Sequence, residues 1–190
     1  MILADATAAL EKQFGTSLLQ KIDFRGESTL IFTAETIKPA IQHAKEVLGF
    51  DFLLDISSVD NFGDEPRFEV VYELYSLTTH LHLRLKCTVS EDHLSVPTIT
   101  DLWPTADWHE REIYDMMGIR FDAHPDLRRI LMWDGYPFHP LRKDFPLAGR
   151  PSEMPDVAFT KAAPLAGGPF VTSPSTATAK DREPRAKEQR

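Results

Sequence analysis

Two stretches of regularly alternating apolar and polar residues constrain the fold of this chain more than any other feature. Every second side chain is apolar in residues 67–75 and again in residues 80–89. The apolar positions are Phe68, Val70, Tyr72, Leu74, Leu81, Leu83, Leu85 and Cys87. A period of two predicts strands with one buried face, and a linker as short as SLTT predicts that the two strands are antiparallel neighbours.

Three more strands are predicted from the same kind of pattern, over residues 18–24, 29–33 and 51–59. The first two flank Arg25-Gly26-Glu27, which predicts a hairpin turn. The linker NFGDEP before residue 67 is also short and turn-like, so the strand at 51–59 is expected to pair with the strand at 67–75.

Apolar residues at helical spacing predict helices over residues 2–14, 37–48 and 98–117. Thr36 is the expected N-cap of the second helix, which places Pro39 in the first turn, where its missing N–H does no harm. The third helix is expected to break at Trp103-Pro104, with Thr105 capping the second piece. Each helix is followed by a glycine, which is a common stop.

This order of elements predicts an α+β fold, a two-layer domain with helices packed on a mostly antiparallel sheet, followed by an extended C-terminal segment. The domain is expected to cover residues 1–118. Residues 119–150 contain too many prolines for a helix or a central strand but many aromatic and charged residues, so they are interpreted as an extended, partner-wrapping segment. Residues 151–190 have few large apolar residues and predict a disordered tail.

The overall composition excludes several classes of function. The formal net charge is −8, whereas nucleic-acid binding needs clustered Lys and Arg in excess, so no nucleic-acid partner is expected. The single cysteine rules out an internal disulfide and cannot by itself hold an iron–sulfur cluster, which usually needs about four thiolates. No glycine-rich nucleotide loop, signal peptide or membrane-spanning apolar run is present, which predicts a soluble or peripheral protein of the cytoplasm.

Histidines offer a metal-site alternative that the residue pattern supports weakly. His109-Glu110 begins the metalloprotease pattern H-E-x-x-H, but position 113 is Ile113. His80 and His82 lie two apart on a predicted strand and would share one face, most simply the solvent-facing one. Cys87 is in register with buried leucines and is expected to be a small buried hydrophobe. A stand-alone metal enzyme using His80, His82, His109 or His124 remains the alternative from another class.

The charged stretch 109–131, HEREIYDMMGIRFDAHPDLRRIL, needs a different explanation. On a helix, Arg111 and Asp115 are four residues apart and Glu112 and Asp115 three apart, so these charges share a face. The charged residues that follow are Arg120, Asp122, His124, Asp126, Arg128 and Arg129, in a part expected to have little regular structure. Aromatic residues and arginines are enriched at protein interfaces, which favours a surface that holds another protein.

Two motifs in this region resemble a known family. The pattern Glu110-Arg111-Glu112-x-x-Asp115-Met116-Met117, then His124, then Arg128-x-Ile130-Leu131 resembles the signature of the 30 kDa subunit family (the C subunit) of respiratory NADH–quinone oxidoreductase, complex I. The later run Pro140-Leu141-Arg142-Lys143-Asp144-Phe145-Pro146-Leu147 resembles that family's PLRKDFPL segment. The resemblance covers about residues 10–148; it departs at 135–140, GYPFHP, where the family pattern is Gly-Phe-x-Gly-His-Pro.

The resemblance implies a structural subunit that is not catalytic in isolation. Such a subunit lies in the peripheral arm, on the cytoplasmic side of the bacterial inner membrane, and its extended C-terminal segment wraps the neighbouring quinone-site subunit of the 49 kDa type (the D subunit). FMN, iron–sulfur clusters and quinone are held by partner subunits, and no cofactor by this chain. The complex transfers electrons from NADH to a quinone and translocates protons or, more rarely, sodium ions. An equivalent scaffold subunit of a membrane-bound hydrogenase or other-donor dehydrogenase is the alternative.

The resemblance also supplies the expected site residues, none of them catalytic, cofactor-binding or metal-binding. They are Glu110, Arg111, Glu112, Asp115, His124, Arg128, Arg129, Pro140, Leu141, Arg142, Lys143, Asp144, Phe145 and Pro146. The basic members are expected to bond to acidic or carbonyl groups of neighbouring subunits, or to brace the chain's own extended segment. The acidic members of the helix are expected to be paired, partly with the same arginines.

Overall fold

A five-stranded sheet lies at the centre of the fold in the computed structural model, which describes residues 2–146. The chain divides into two units, Met1–Lys143 and Asp144–Arg190, and only residues 144–146 of the second unit are described. In chain order the elements are α1 (Leu3–Phe14), β1 (Leu18–Phe24), β2 (Glu27–Thr33), α2 (Ala34–Glu46), β3 (Phe52–Asp60), β4 (Phe68–Tyr75), β5 (His82–Val89), β6 (Ser95–Pro97), α3 (Ala106–Met117) and β7 (Arg120–Asp122).

The sheet has the strand order β1-β2-β5-β4-β3. All neighbouring pairs are antiparallel except β2 and β5, which run parallel. The long connection that a parallel pair needs is provided here by α2, β3 and β4. β6 and β7 form a separate parallel pair. The α+β class and the mostly antiparallel sheet are therefore as predicted, and so are the neighbours β3, β4 and β5.

The two faces of the sheet have opposite chemistry. On one face Tyr72 of β4 and Leu85 of β5 are fully buried, as are Ile37 and Ile41 of α2, which pack in the same core. Burial of an aliphatic side chain such as Leu85, Ile37 or Ile41 contributes roughly 1.5–3 kcal/mol. On the other face cross-strand ion pairs dominate, as in Arg84–Glu73, 2.5 Å, and Lys86–Glu69, 2.9 Å. One apolar and one polar face is what the alternating sequence predicts.

The second helix begins three residues earlier than predicted, so the expected N-cap at Thr36 is wrong. Ala34 follows directly on β2, and Thr33 is the N-cap, with extended backbone at φ −70° and ψ 153°. The Thr33 hydroxyl donates to the Thr36 hydroxyl at 3.1 Å. Pro39 consequently lies inside the helix rather than in its first turn.

Residues 98–104 are not helical, contrary to the prediction. The Thr98 N–H donates to Asp122 O at 3.0 Å, and the Ile99 N–H donates to a carboxylate of α3 at 2.8 Å. These N–H groups bond to distant parts of the chain, and the backbone between them and Ala106 forms turns and irregular structure instead of a continuous helix. The helix starts only at Ala106, with Thr105 as N-cap but without a side-chain capping bond, and ends at Gly118 as predicted.

Residues 120–122 form β7, where little regular structure was expected, and Ile119 and Phe121 lie in the main core. Residues 123–146 contain no helix or strand. The proposed three-part division of the chain stays a prediction, and its tail, 151–190, falls outside the described residues. Within residues 2–146 no helix is long and apolar enough to cross a membrane.

Candidate functional site: the contact between helix α3 and the C-terminal segment

Asp115, in the last turns of α3, holds the start of the C-terminal segment, by which we mean residues 128–143. Its side chain is fully buried. One carboxylate oxygen, Oδ2, accepts three consecutive backbone N–H groups, from Ile130 at 3.1 Å, Leu131 at 2.7 Å and Met132 at 2.8 Å. The other oxygen, Oδ1, accepts Arg129 Nη1 at 2.5 Å. A single carboxylate thus replaces the backbone pairing that this irregular segment lacks.

These donors determine the charge of Asp115. Burial works against its ionised form, but the hydrogen bonds from the three backbone N–H groups and from Arg129 outweigh that effect, so the pKa of Asp115 lies below its ordinary value. The pair is consequently a buried, charge-assisted one. Arg129 Nη1 also donates to the backbone oxygen of Asp115 at 2.9 Å, which links it to the C-terminal end of the helix.

The far end of the C-terminal segment covers the last carbonyls of α3. His139 Nδ1 lies 3.1 Å from Asp115 O, the Leu141 N–H donates to Met116 O at 3.1 Å, and Arg142 Nε donates to Met117 O at 2.6 Å. The last carbonyls of a helix have no partner within it and carry its negative end, so cationic and N–H donors stabilise it there. Burial is the main cause that lowers the pKa of His139, which favours its neutral form.

Gly118 makes this close approach possible. Its backbone has φ +78°, a conformation that L side chains rarely adopt. A Cβ at this position would lie 2.5 Å from Arg142 Nη2 and 2.6 Å from His139 Nε2. A larger residue here would need both an unfavourable backbone conformation and a displacement of the two side chains that cross it.

A second buried carboxylate holds the end of the segment. Asp60, the last residue of β3, pairs with Arg67 through Nε at 2.8 Å and Nη2 at 2.9 Å, and its Oδ2 accepts the Lys143 N–H at 2.8 Å. The hydrogen bond from Arg67 is the main cause that lowers the pKa of Asp60. Arg67 in turn lies against the rings of Phe62 and Phe68.

Glu110 lies elsewhere on α3 and is not hydrogen-bonded to the C-terminal segment; its carboxylate is bonded to residues 98 and 99. Its side chain is fully buried, Oε1 accepts the Ile99 N–H at 2.8 Å, and Oε2 accepts the Thr98 hydroxyl at 2.5 Å. Burial raises the pKa of Glu110 to about 7, against the opposing effect of these two bonds. His124 Nε2 lies 3.8 Å from Oε2 of Glu110.

A small apolar cluster completes the contact. Met116, Met132 and Tyr136 are buried together, with Trp133 and Phe138 packed against them. The rings of Trp133 and Tyr136 lie 4.6 Å apart, centroid to centroid. The cluster is separate from the main core, so residues 132–138 stabilise their own attachment to α3.

The family described as "Respiratory-chain NADH dehydrogenase, 30 Kd subunit" matches residues 30–151. That range contains both charged motifs and every residue of the contact just described. The chain belongs to this family.

Relatives within the 30 kDa subunit family align over most of their length. The chain is 46% identical over 144 residues to the C subunit of NADH-quinone oxidoreductase from Geotalea uraniireducens (strain Rf4), and the alignment covers 76% of this chain and 88% of that protein. It is 50% identical over 131 residues to the C 2 subunit of NADH-quinone oxidoreductase from Rhizobium meliloti (strain 1021), with 69% of this chain and 68% of that protein covered.

Two solved structures share the fold. The trypsin-resistant fragment (1-134) of Nqo5 is 33% identical, with a TM-score of 0.60, over 67% of this chain and all of the fragment. A chain of the membrane-bound sulfane sulfur reductase, an archaeal respiratory membrane complex, is 23% identical, with a TM-score of 0.65, over 76% of this chain and 85% of that one. At that identity the second likeness shows the fold alone.

Of the acidic residues of α3 that were expected to pair partly with the signature arginines, Asp115 binds Arg129. Glu110 binds Thr98 and Ile99 instead. Arg111 does not pair with Asp115: its Nη1 lies 3.6 Å from Asp107 Oδ2, and its Nε donates to Arg128 O at 3.2 Å. Glu112 is exposed, and so is the Arg128 side chain. The interface role of these residues stays a prediction.

The second motif is divided between contacts with α3 and outward-facing side chains. Leu141 is 58% exposed although its N–H is bonded, and the Lys143 side chain is exposed. Pro140 is half-buried. Of the residues described in the second unit, Asp144 and Pro146 are exposed and Phe145 is half-buried.

Sequence reasoning missed Asp60, Arg67, Thr98 and His139 as parts of the contact. No sequence signal links Asp60 to Lys143, 83 positions away. Gly118 was identified only as a helix stop, and its second role, as the crossing point of two side chains, depends on the fold.

The histidines of the metal alternative are dispersed. His80 has φ +57° and lies in the turn before β5, so it does not share a strand face with His82 as expected. His82 pairs with Glu73 at 2.7 Å and His109 with Asp55 at 3.1 Å. Among residues 2–146 no group of three or more His, Cys, Asp or Glu side chains is arranged to hold a metal ion.

Cys87 is buried, and burial raises the pKa of its thiol to about 12.

Proposed function

We propose that this chain is the C subunit of a respiratory NADH–quinone oxidoreductase, where it supports electron transfer from NADH to quinone by the whole complex. The observation that carries the proposal is the 46% identity to a protein named as that subunit, aligned over 88% of its length. In this proposal the chain is a cofactor-free, structural part of the peripheral arm, on the cytoplasmic side of the membrane, and the complex translocates protons.

The contact with α3 supports a structural role. Asp60 and Asp115 are fully engaged in fastening the C-terminal segment to the chain itself. Carboxylates bound in this way are poor candidates for proton transfer or metal ligation, because each would first have to give up several donors. Their function is to hold a segment without helix or strand in one conformation.

The C-terminal segment and helix α3 both expose groups of the kinds that protein partners bind. Leu131 is 57% and Leu141 58% exposed, Trp108 of α3 is 62% exposed, and the Arg128 side chain is 67% exposed. Exposed Trp and Arg are frequent anchors of interfaces. We propose that they contact another subunit of the complex, specifically the quinone-site subunit of the 49 kDa type, and that FMN, iron–sulfur clusters and quinone are bound by partners.

Purification of the tagged full-length chain from its native membrane tests the proposal. We expect flavin, iron–sulfur proteins and membrane subunits to co-purify, and the preparation to reduce quinone with NADH. Untagged membranes carried through the same purification are the control. A preparation that oxidises hydrogen or another donor, but not NADH, would establish the alternative, a scaffold subunit of a related membrane complex.

The cofactor-free assignment has a separate test on the isolated full-length chain. We expect neither flavin absorbance nor metal in stoichiometric amount, and no oxidation of NADH with artificial acceptors. One bound zinc or iron per chain would contradict the assignment and revive the stand-alone metal enzyme.

A further inference from the structure

Trp108 and Glu112 lie one helical turn apart on the same face of α3. Trp108 is 62% exposed, and Glu112 is exposed as well. The other acidic residues of the first motif are used inside the chain, because Glu110 and Asp115 are fully buried and bonded. Glu112 differs from them: within residues 2–146 no hydrogen bond or ion pair reaches its side chain.

The Trp108 ring is held in place from one side. The guanidinium carbon of Arg111 lies over the ring, 5.1 Å from its centroid. Arg111 is itself fixed, because its Nη1 lies 3.6 Å from Asp107 Oδ2 and its Nε donates to Arg128 O at 3.2 Å. Its side chain is only 8% exposed. Trp108 is therefore a preorganised platform, with one face against Arg111 and the rest of the ring open to solvent.

The charged groups around this platform, apart from Glu112, are engaged with one another. The pairs are Arg111 with Asp107 at 3.6 Å, His109 with Asp55 at 3.1 Å, and Arg128 with Asp126 at 2.9 Å. The Glu112 carboxylate is thus the charge of this face that has no partner within the described residues. A group that complements the face has to be positively charged.

The next step rests on the proposed function, in which the exposed ring of Trp108 becomes buried against a neighbouring subunit. Glu112, one turn away, loses its water together with that ring. A carboxylate that is buried without a partner is strongly disfavoured. An apolar protein surface or a lipid chain offers no such partner, so the neighbouring subunit has to supply a basic side chain at this point.

We propose that Trp108 and Glu112 together bind an arginine side chain of the neighbouring subunit. The planar guanidinium stacks on the open face of Trp108 and donates two N–H groups to the carboxylate of Glu112. Arginine fits both groups at once, because its fork of donors matches a carboxylate and its plane stacks on an aromatic ring. Among aromatic side chains, tryptophan attracts a cation most strongly. A lysine ammonium is a point charge without that fork.

Charge reversal at Glu112 is the first part of the test. The tagged full-length chain carrying Glu112→Arg is purified from native membranes, and the co-purified subunits are quantified. We expect at least about tenfold less of the neighbouring subunit than with the unmodified chain, because attraction becomes like-charge repulsion. Asp92→Arg, at another exposed acidic residue, is the matched control and should leave the amount unchanged. Urea unfolding of both isolated variants separates an assembly defect from a folding defect.

Identification of the bound side chain is the second part. Trp108 is replaced by the photoreactive p-benzoylphenylalanine, the assembled complex is illuminated, and the cross-linked peptide is identified by mass spectrometry. We expect a peptide of the neighbouring subunit that contains an arginine. Exchange of that arginine for glutamate, combined with Glu112→Arg, reverses both charges and should restore the co-purified subunit. A carboxylate that only stabilises its own helix would not give this restoration.

Three results would overturn the proposal: assembly that is unaffected by Glu112→Arg, a cross-linked segment without an arginine, or a charge exchange that restores nothing. Failure of the proposed function gives a different result, because the unmodified chain itself would then co-purify no respiratory subunit. The two failures can therefore be told apart in the same set of purifications.

Discussion

At the scale of single residues, two arginines adjacent in sequence have opposite environments. The Arg129 side chain is 12% exposed and reaches the buried carboxylate of Asp115, whereas the Arg128 side chain is 67% exposed and pairs with an exposed aspartate. A buried pair broken on one side leaves an uncompensated charge, and an exposed pair contributes little. Sequence cannot tell these two arginines apart.

Arg129→Ala should therefore lower the free energy of unfolding by about 3–5 kcal/mol, while Arg128→Ala, the matched control, should change it by less than about 1 kcal/mol. Urea unfolding of both variants measures the difference. Equal effects of the two substitutions would show that the Asp115–Arg129 pair does not hold the segment.

Glu110→Gln should change how stability depends on pH. The pKa of Glu110 is raised from 4.5 to about 7 in the folded chain, so its contribution to stability is complete below pH 4.5 and is lost as the pH rises through 7. The glutamine would stay neutral, and Thr98 can accept its N–H because the Thr98 hydroxyl has Thr100 as a second partner.

The unfolding free energy of the Glu110→Gln variant relative to the unmodified chain should thus rise by up to about 3 kcal/mol between pH 4.5 and pH 8. Urea unfolding across this range measures it, with exposed Glu112→Gln as control. A difference that stays constant with pH would mean that Glu110 is not a buried carboxylate of raised pKa.

At the scale of elements, α3 is the piece on which the rest of the contact is built. One side of it packs through Ile113 and Met117 into the main core, and another packs through Met116 into the small apolar cluster. Its last carbonyls are covered by Leu141 and Arg142. The helix therefore transmits the rigidity of the sheet to residues that have no secondary structure.

Gly118→Ala tests this end of the helix, with Gly49→Ala as the matched control. Both glycines have positive φ, +78° and +74°, but a Cβ on Gly49 would meet nothing within 4 Å. Gly49→Ala should lower the free energy of unfolding by about 1–2 kcal/mol, the cost of a left-handed backbone conformation for a residue with a Cβ. Gly118→Ala should lower the free energy of unfolding by clearly more than Gly49→Ala does, because Arg142 and His139 must move. Thermal or urea unfolding would contradict this if the two variants were equally destabilised.

At the scale of the whole molecule, the exposed apolar residues carry the proposed assembly role. Trp108 is 62% exposed, with the Arg111 guanidinium 5.1 Å from its ring centroid. Phe24 is 64% exposed on β1, at the edge of the sheet opposite β3. The two side chains are similarly exposed but lie on different elements, α3 and β1, so Phe24 can serve as a control for Trp108.

Trp108→Ala should change the unfolding free energy of the chain by less than about 1 kcal/mol, yet reduce the amount of assembled complex and its NADH–quinone reductase activity in native membranes. Phe24→Ala should leave both unchanged. Native gels and activity assays of the two strains give the comparison. Normal assembly with Trp108→Ala would place the partner surface elsewhere.

Strands and helices could be predicted from the sequence where the alternation of apolar and polar residues repeats over enough positions. β4 and β5 alternate over eight residues each and were found correctly. β6 and β7 have three residues each, too few for any period, and were missed. Residues 98–104 have helical spacing but form turns and irregular backbone, and the Thr98 and Ile99 N–H groups bond to distant residues.

The sequence by itself determined the family, the α+β class and the positions of the charged motifs, because periodicity and motif spacing are local properties of a chain. Only the tertiary structure decided which charge meets which partner. Asp115 binds Arg129 rather than Arg111, and Asp60 meets Lys143 from 83 positions away. Buried polar groups must find partners wherever the fold places them, so Asp115 and Arg129 of the charged stretch fasten the C-terminal segment. Other charged residues of the same stretch stay exposed, namely Glu112, Arg120, Asp122, Asp126 and Arg128.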